Sequence, residues 1–201
     1  MTFWDDRYRG ETYVYGEEPN EFLRAVASRI PHGRVVSLGE GEGRNAVFLA
    51  SLGYAVTAVD SSAVGLHKAG LLAARHGVSI ELVQADLEDY ELPAGLSGVV
   101  SIFLHVQAAL RKRLLTRLPD VLVPGGVFVL ESYRPEQLAL GTGGPRDAAL
   151  LPTLAELKTE LSPLDLEIAA EVDREIHEGT FHDGPSATVQ IVGRRKPARV
   201  A

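Results

Sequence analysis

The stretch Val35-Val36-Ser37-Leu38-Gly39-Glu40-Gly41-Glu42-Gly43-Arg44-Asn45 runs an apolar strand into three glycines at alternating positions and then into an apolar-faced helix. Glycine tolerates left-handed backbone and lets a ligand come close to the main chain. A strand, a bare turn and a helix N-terminus in that order are how open α/β sheets present backbone to a bound group. Downstream, short apolar runs alternate with amphipathic stretches, which predicts an α/β fold built outward from this turn.

Residues 1–18 hold Trp4, Tyr8, Tyr13 and Tyr15 among charges and glycines, either as rings laid on the domain surface or as a lid over a ligand. Phe22, Leu23, Val26, Ala27 and Ile30 share a helical face, and Pro31 and Gly33 stop that helix. A buried strand is expected over 35–38, a helix over 44–52, and a second strand over 54–59 closed by Asp60. Ser61 or Ser62 is placed to cap the next helix, which runs to about His76. A third strand over 79–84 is closed by Ala85 and Asp86; 92–98 reads as loop, and 99–104 as a fourth strand covered on both faces. A helix from Gln107 to about Leu118, a Pro124-Gly125-Gly126 turn and a fifth strand over 127–131 follow. The tail holds a glycine-containing loop at 137–145, a helix over 153–161, and two stretches, 164–174 and 186–195, suited to an antiparallel pair at the sheet edge.

A chain of 201 residues suits one substantial core, so one domain over 1–201 is expected, with 1–30 as an N-terminal lid segment and helix. No apolar run reaches membrane-spanning length and no secretory signal stands at the N-terminus, so a cytoplasmic location is the default. With no cysteine, disulfides, thiolate metal sites and cysteine nucleophiles are excluded. A formal net charge of -7 with no long basic stripe disfavours a nucleic-acid partner. His177 and His182, with Glu178 and Asp183 nearby, match no usual zinc spacing and read as a solvated loop, so no metal is expected.

The glycine turn fits some bound groups better than others. A phosphate loop fails because no Lys-Ser or Lys-Thr follows the glycines. A dinucleotide fingerprint fails at its sixth position, which is Arg44, and this holds a nucleotide-dependent oxidoreductase to a minor alternative. Asp60 stands where a carboxylate accepts from both hydroxyls of a ribose, or else caps a helix beside Ser61. Asp86 either accepts from an exocyclic adenine amine, with Leu87 packing the base, or is a surface carboxylate.

In these segments the chain resembles class I S-adenosylmethionine-dependent methyltransferases: Leu38-Gly39-Glu40-Gly41-Glu42-Gly43, the acid Asp60, Gln84-Ala85-Asp86-Leu87, and Leu122-Val123-Pro124-Gly125-Gly126-Val127-Phe128. The resemblance implies a Rossmann-like, doubly wound, seven-stranded and mostly parallel sheet with an antiparallel terminal hairpin, in the order 3-2-1-4-5-7-6. A narrower resemblance, carried by Trp4-Asp5-Asp6-Arg7-Tyr8, Tyr13-Val14-Tyr15-Gly16-Glu17-Glu18-Pro19-Asn20, Gly43-Arg44-Asn45 and Ser101-Ile102-Phe103-Leu104-His105, is to small methyltransferases related to tellurite-resistance and thiopurine-type enzymes. The implied cofactor is S-adenosyl-L-methionine, leaving S-adenosyl-L-homocysteine, and the expected contacts are Gly39, Glu40, Gly41, Asp60, Ser61, Asp86 and Leu87.

One departure stands out. Most members of that superfamily carry an acid two positions before the first glycine, where this chain has Ser37. Glu40 is one position after that glycine, and a different position along the strand end aims its side chain elsewhere. This keeps open a non-catalytic domain that binds the cofactor or serves as an interaction module. For methyl transfer by direct displacement, the candidate catalytic groups are His105 beyond the fourth strand, Tyr13 (with Tyr15) as a cover, and Arg134 as a fork for an anionic acceptor. Arg134 has a second reading as an ion-pair partner of Glu131 or Glu136. A small-molecule or oxyanion acceptor is expected, with the protein a monomer or homodimer.

Overall fold

A computed structural model describes residues 2–197. Five parallel strands form most of one sheet: β1 (Arg34–Leu38), β2 (Ala55–Asp60), β3 (Glu81–Gln84), β4 (Leu96–Ile102) and β5 (Leu122–Tyr133). The hairpin β6 (Leu164–His177) and β7 (Asp183–Arg195) closes it, β7 running antiparallel to both β5 and β6. The order is β3-β2-β1-β4-β5-β7-β6, the one the resemblance implies.

Alternation along β1 builds both faces of the core. Val36 and Leu38 join the cluster around α5 (Ala108–Val121) and α7 (Leu154–Glu160). Val35 joins the one around α2 (Glu21–Val26) and α3 (Arg44–Ser51) on the opposite face. Every residue of β4 is buried, as a central parallel strand demands. The helices start where their caps are: Asn20 accepts from Leu23 N–H, and Thr153 forms a reciprocal capping box with Glu156. Of the two serines, it is Ser62 that caps α4 (Ala63–Arg75), accepting from Gly65 N–H.

Several boundaries differ from the sequence reading. The fourth strand starts at Leu96 and takes in the last three residues of the expected loop, because Ser97 and Gly98 are buried and Gly98 stands where a Cβ would meet Ile30. The Pro124-Gly125-Gly126 turn lies within β5 as a register break, Leu96 pairing Leu122 while Gly98 pairs Val127. The loop at 137–145 begins with a short helix, α6 (Gln137–Leu140). β6 and β7 extend toward each other until only residues 178–182 join them. Ahead of these elements, α1 (Phe3–Tyr8) opens the chain, and a strap from Arg9 to Pro19 leads from it to α2.

Candidate functional site

The C-terminal tips of β1 and β2 meet at the glycine turn. Gly39, Gly41 and Gly43 have φ of 61°, 64° and 98°, left-handed values at which a side chain would be strained. A Cβ on Gly39 would come within 2.7 Å of Leu104, and one on Gly41 within 2.7 Å of the Tyr8 hydroxyl. A Cβ on Gly43 would strike the Ala69 backbone, so this third glycine serves the packing of α3 on α4. The Asp60 carboxylate is buried and grips the turn, accepting from Gly41 N–H (2.8 Å) and Ser62 N–H (2.8 Å). Burial raises its pKa, and these backbone donors act against that rise. A third backbone donor, Ser61, also reaches the carboxylate, so the lone pairs left for a ligand hydroxyl are few.

Glu40 does what its position along the chain argued against. Its side chain folds back, taking the Ser37 hydroxyl on one oxygen and the Asn45 and Ala46 N–H groups (both 2.9 Å) on the other. The carboxylate is thus delivered to the Ser37 position from the far side of Gly39 and caps α3. The left-handed φ of the glycine reverses the chain and makes this possible.

The other expected cofactor contacts lie at neighbouring strand tips. Ser61 is half-buried beside Asp60, and its carbonyl accepts from Gln84 Nε2. Ala85 N–H donates to the Asp60 carbonyl (3.0 Å), tying the β2 and β3 tips together. Asp86 is exposed and caps its own turn through Glu88 N–H (2.9 Å). Leu87 is buried in the cluster against which Leu104 packs.

The three expected catalytic side chains do not share one locus. The half-buried ring of His105 stacks on Tyr133 and accepts from Tyr133 N–H (3.3 Å) through Nε2. Burial lowers its pKa to about 4, opposed by a hydrogen bond to the Phe103 backbone. Tyr13 donates to the Lys68 carbonyl (2.9 Å) and packs on α4, whereas Tyr15 faces the strand tips. Both ends of the Arg134 fork are held by carboxylates, Glu136 at 2.6 Å and Asp173 at 2.5 Å.

Around Tyr15 the structure assembles a group the sequence reading passed over. Rings connect Trp4, Tyr8, Tyr15, His182, Phe103 and Tyr133 in an unbroken chain of contacts from α1 to β5. His182 is buried instead of solvated, with Phe103 at 4.4 Å, Tyr15 at 4.6 Å and Tyr133 at 5.4 Å between ring centroids. Phe103 has φ 51°, strained for a large residue. Gly143 and Gly144 press on the Tyr133 ring too closely for any side chain, which explains the glycines of that loop. Below the rings, Arg174 bridges Glu131 (2.9 Å) and Glu178 (3.1 Å), Arg44 reaches Glu178 (2.7 Å), and Asn20 donates to Glu131 (2.6 Å).

The N-terminal strap is fastened across this region. Lys68 pairs with Glu42 and donates to the carbonyls of Gly10 (2.9 Å) and Thr12 (2.8 Å), while Glu42 accepts from Val14 N–H (2.8 Å). Tyr8 is thereby held over Gly41, and its pKa is raised by burial and by the Asp60 charge. The only sequence signal for these residues is the aromatic density of 1–18 and the glycines at 141–144.

The family described as methyltransferase domain matches residues 35–126. Among solved structures, one from work on conversion of a disulfide bond into a thioacetal group during echinomycin biosynthesis is 22% identical, with a TM-score of 0.74 over 96% of this chain and 91% of that one. TehB from Haemophilus influenzae is 16% identical, with a TM-score of 0.72 over 96% of this chain and 66% of that one. The [4+2]-cyclase SpnF is 15% identical, with a TM-score of 0.71 over 96% of this chain and 91% of that one. No curated protein sequence matches the chain. The fold is that of class I S-adenosylmethionine-dependent methyltransferases.

Proposed function

We propose that the protein binds S-adenosyl-L-methionine at the β1–β3 tips and transfers its methyl group to a small-molecule acceptor, in a cytoplasmic setting. The observation that carries this is the pairing of bare, left-handed Gly39 and Gly41 with the Asp60 carboxylate, bound to Gly41 N–H, at the mouth of the turn. These residues fit the cofactor once Tyr8 swings off the turn: the glycines put no side chain of their own beneath a methionine moiety, the Asp60 carboxylate suits ribose hydroxyls, and Asp86 and Leu87 offer a carboxylate and an apolar wall to the adenine. Ser61 lies beside the ribose position, and Glu40 holds the turn from behind through Ser37 and α3. When bound, the cofactor supplies a methyl carbon already activated by its sulfonium. The protein's part is to align an acceptor, exclude water and receive a proton. Tyr8 and Tyr15 exclude water, and His105 fixes the β5 tip by accepting from Tyr133 N–H.

A non-catalytic, cofactor-sensing domain is the second reading, favoured by the closure of Tyr8 over Gly41 and by the Lys68–Glu42 fastening of the strap. Isothermal titration with S-adenosylhomocysteine separates occupied from sealed. Binding is expected, weakened about 100-fold by Asp60→Ala through loss of charge-assisted hydrogen bonds. Absence of heat from folded protein at millimolar ligand sinks the cofactor reading. Displacement of the ligand by NADH would instead favour an oxidoreductase.

A further inference from the structure

His182 sits in the turn between β6 and β7, 7% exposed, enclosed by Tyr15, Phe103 and Tyr133. Its Nδ1 is buried without a hydrogen-bonding partner. A buried ring nitrogen left unpaired costs free energy, and here the surrounding structure is costly too: Phe103 takes a strained backbone to reach the imidazole, and the loop at 141–144 needs its glycines to cover Tyr133. At the rim, Phe181 is 40% exposed, and the Arg7 guanidinium lies 4.1 Å over its ring and 3.5 Å from the Tyr15 hydroxyl. Among the described residues no carboxylate pairs with Arg7, whereas Arg44, Arg134 and Arg174 are all engaged. Tyr15 therefore touches both a cation with no carboxylate partner among the described residues and an imidazole whose Nδ1 is free.

We propose that this is the acceptor site, that His182 is the catalytic residue taking the acceptor's proton, and that the acceptor is a planar aromatic carboxylate bearing a protonated heteroatom. The proposal deepens the methyltransferase reading and rests on it. Each part follows from one feature. Aromatic walls select a flat ring. Arg7 pairs the carboxylate. The imidazole needs a proton donor. In the step, the acceptor heteroatom's lone pair forms the bond to the methyl carbon while the carbon–sulfur bond breaks with its pair going to sulfur. The heteroatom's proton passes to Nδ1. Burial first, then Arg44 on α3, His105 after β4, Arg174 on β6 and Arg7 on α1, keep His182 neutral before the step; the acceptor's carboxylate at Arg7 offsets part of that positive field when the imidazole takes the proton.

The test offers 4-hydroxybenzoate, 4-mercaptobenzoate and 4-aminobenzoate with radiolabelled S-adenosylmethionine. Their binding is followed separately through the fluorescence of Trp4, the only tryptophan in the chain. At least one probe is expected to be methylated. His182→Ala and His182→Asn, which keeps a polar atom near the Nδ1 position, should each lower kcat about 100-fold, with S-adenosylhomocysteine affinity held within about twofold and added imidazole restoring turnover of the alanine variant. Arg7→Met should raise KM about tenfold with kcat kept. The proposal falls if cofactor product binds but no probe is methylated, if His182→Asn keeps its kcat, or if imidazole fails to restore the alanine variant, which would mark His182 as packing only. Failure to bind S-adenosylhomocysteine would bring down the cofactor reading beneath it.

Discussion

The two halves of the sheet's C-terminal edge are built by different means. At the β1–β2 tips the groups are main-chain N–H donors, bare Cα positions and the carboxylates of Glu40 and Asp60, all within about twenty residues of one another. At the β4–β7 tips the groups are rings and ion pairs whose members range from Tyr15 to His182. The first half is organised by local backbone conformation and the second by long-range side-chain contact. A ligand that must be held the same way every time suits the rigid first half. The second half has interchangeable side chains, the natural place for a specificity that differs between proteins of one fold.

That contrast predicts unequal responses to mutation. The largest belongs to the second half: Arg174→Met leaves Glu131 and Glu178 short of their shared cation in a buried network and should cost about 4 kcal/mol in urea unfolding. A loss under about 1 kcal/mol would show the network to be solvated and blur the distinction between the halves. Next, Gly43→Ala in the first half forces a Cβ onto the Ala69 backbone at φ 98° and should cost about 3 kcal/mol. Glu40→Ala should cost about 2 kcal/mol, since the Asn45 and Ala46 N–H groups and the Ser37 hydroxyl all lose their buried acceptor, whereas Glu40→Gln should cost less because the Ser37 hydroxyl can accept from the amide. If Ser37→Asp added to Glu40→Ala restores that loss, the carboxylate's location matters and its parent residue does not.

The effect that is smallest at neutral pH, and grows only as acid is added, sharpens the comparison through pH. His105, with its pKa lowered to about 4 by burial, and His182, lowered by burial and by Arg44, both belong to the second half. A histidine whose folded pKa is depressed leaves stability intact above its unfolded pKa and removes it as pH falls from about 6.5 toward the folded value. Each should add about 1.4 kcal/mol per pH unit to the slope of stability across that window. Replacing His105 by Asn should flatten the slope by one proton, and an unchanged slope would place the imidazole in contact with water.

Much of the first half was legible because its causes are local. Left-handed turns leave glycines in the sequence, strand ends leave acids, and helix starts leave Ser62, Asn20 and Thr153. Glu40 was misjudged because strand alternation was carried one residue past Gly39, where the chain had already turned back. In the second half, the charged composition of 177–185 concealed a histidine inside the fold, since Glu178 and His182 are covered by the strap from 13–16 and by Phe103, contacts more than seventy residues away in sequence. Arg134 likewise had two readings on paper, and only the approach of Asp173 from β6 showed where its fork is spent.

The amino-acid order alone determined an alternating α/β sheet and a bare turn followed by carboxylates at successive strand tips, because backbone conformation and apolar period are written residue by residue, while the strand order came through resemblance to a known fold. Only the folded chain decided which side chains face one another beyond that turn. Burial of His182, the strained Phe103 against it, and the reach of Glu40 to Ser37 each depend on segments brought together by the packing of the sheet, and no local pattern encodes such a meeting.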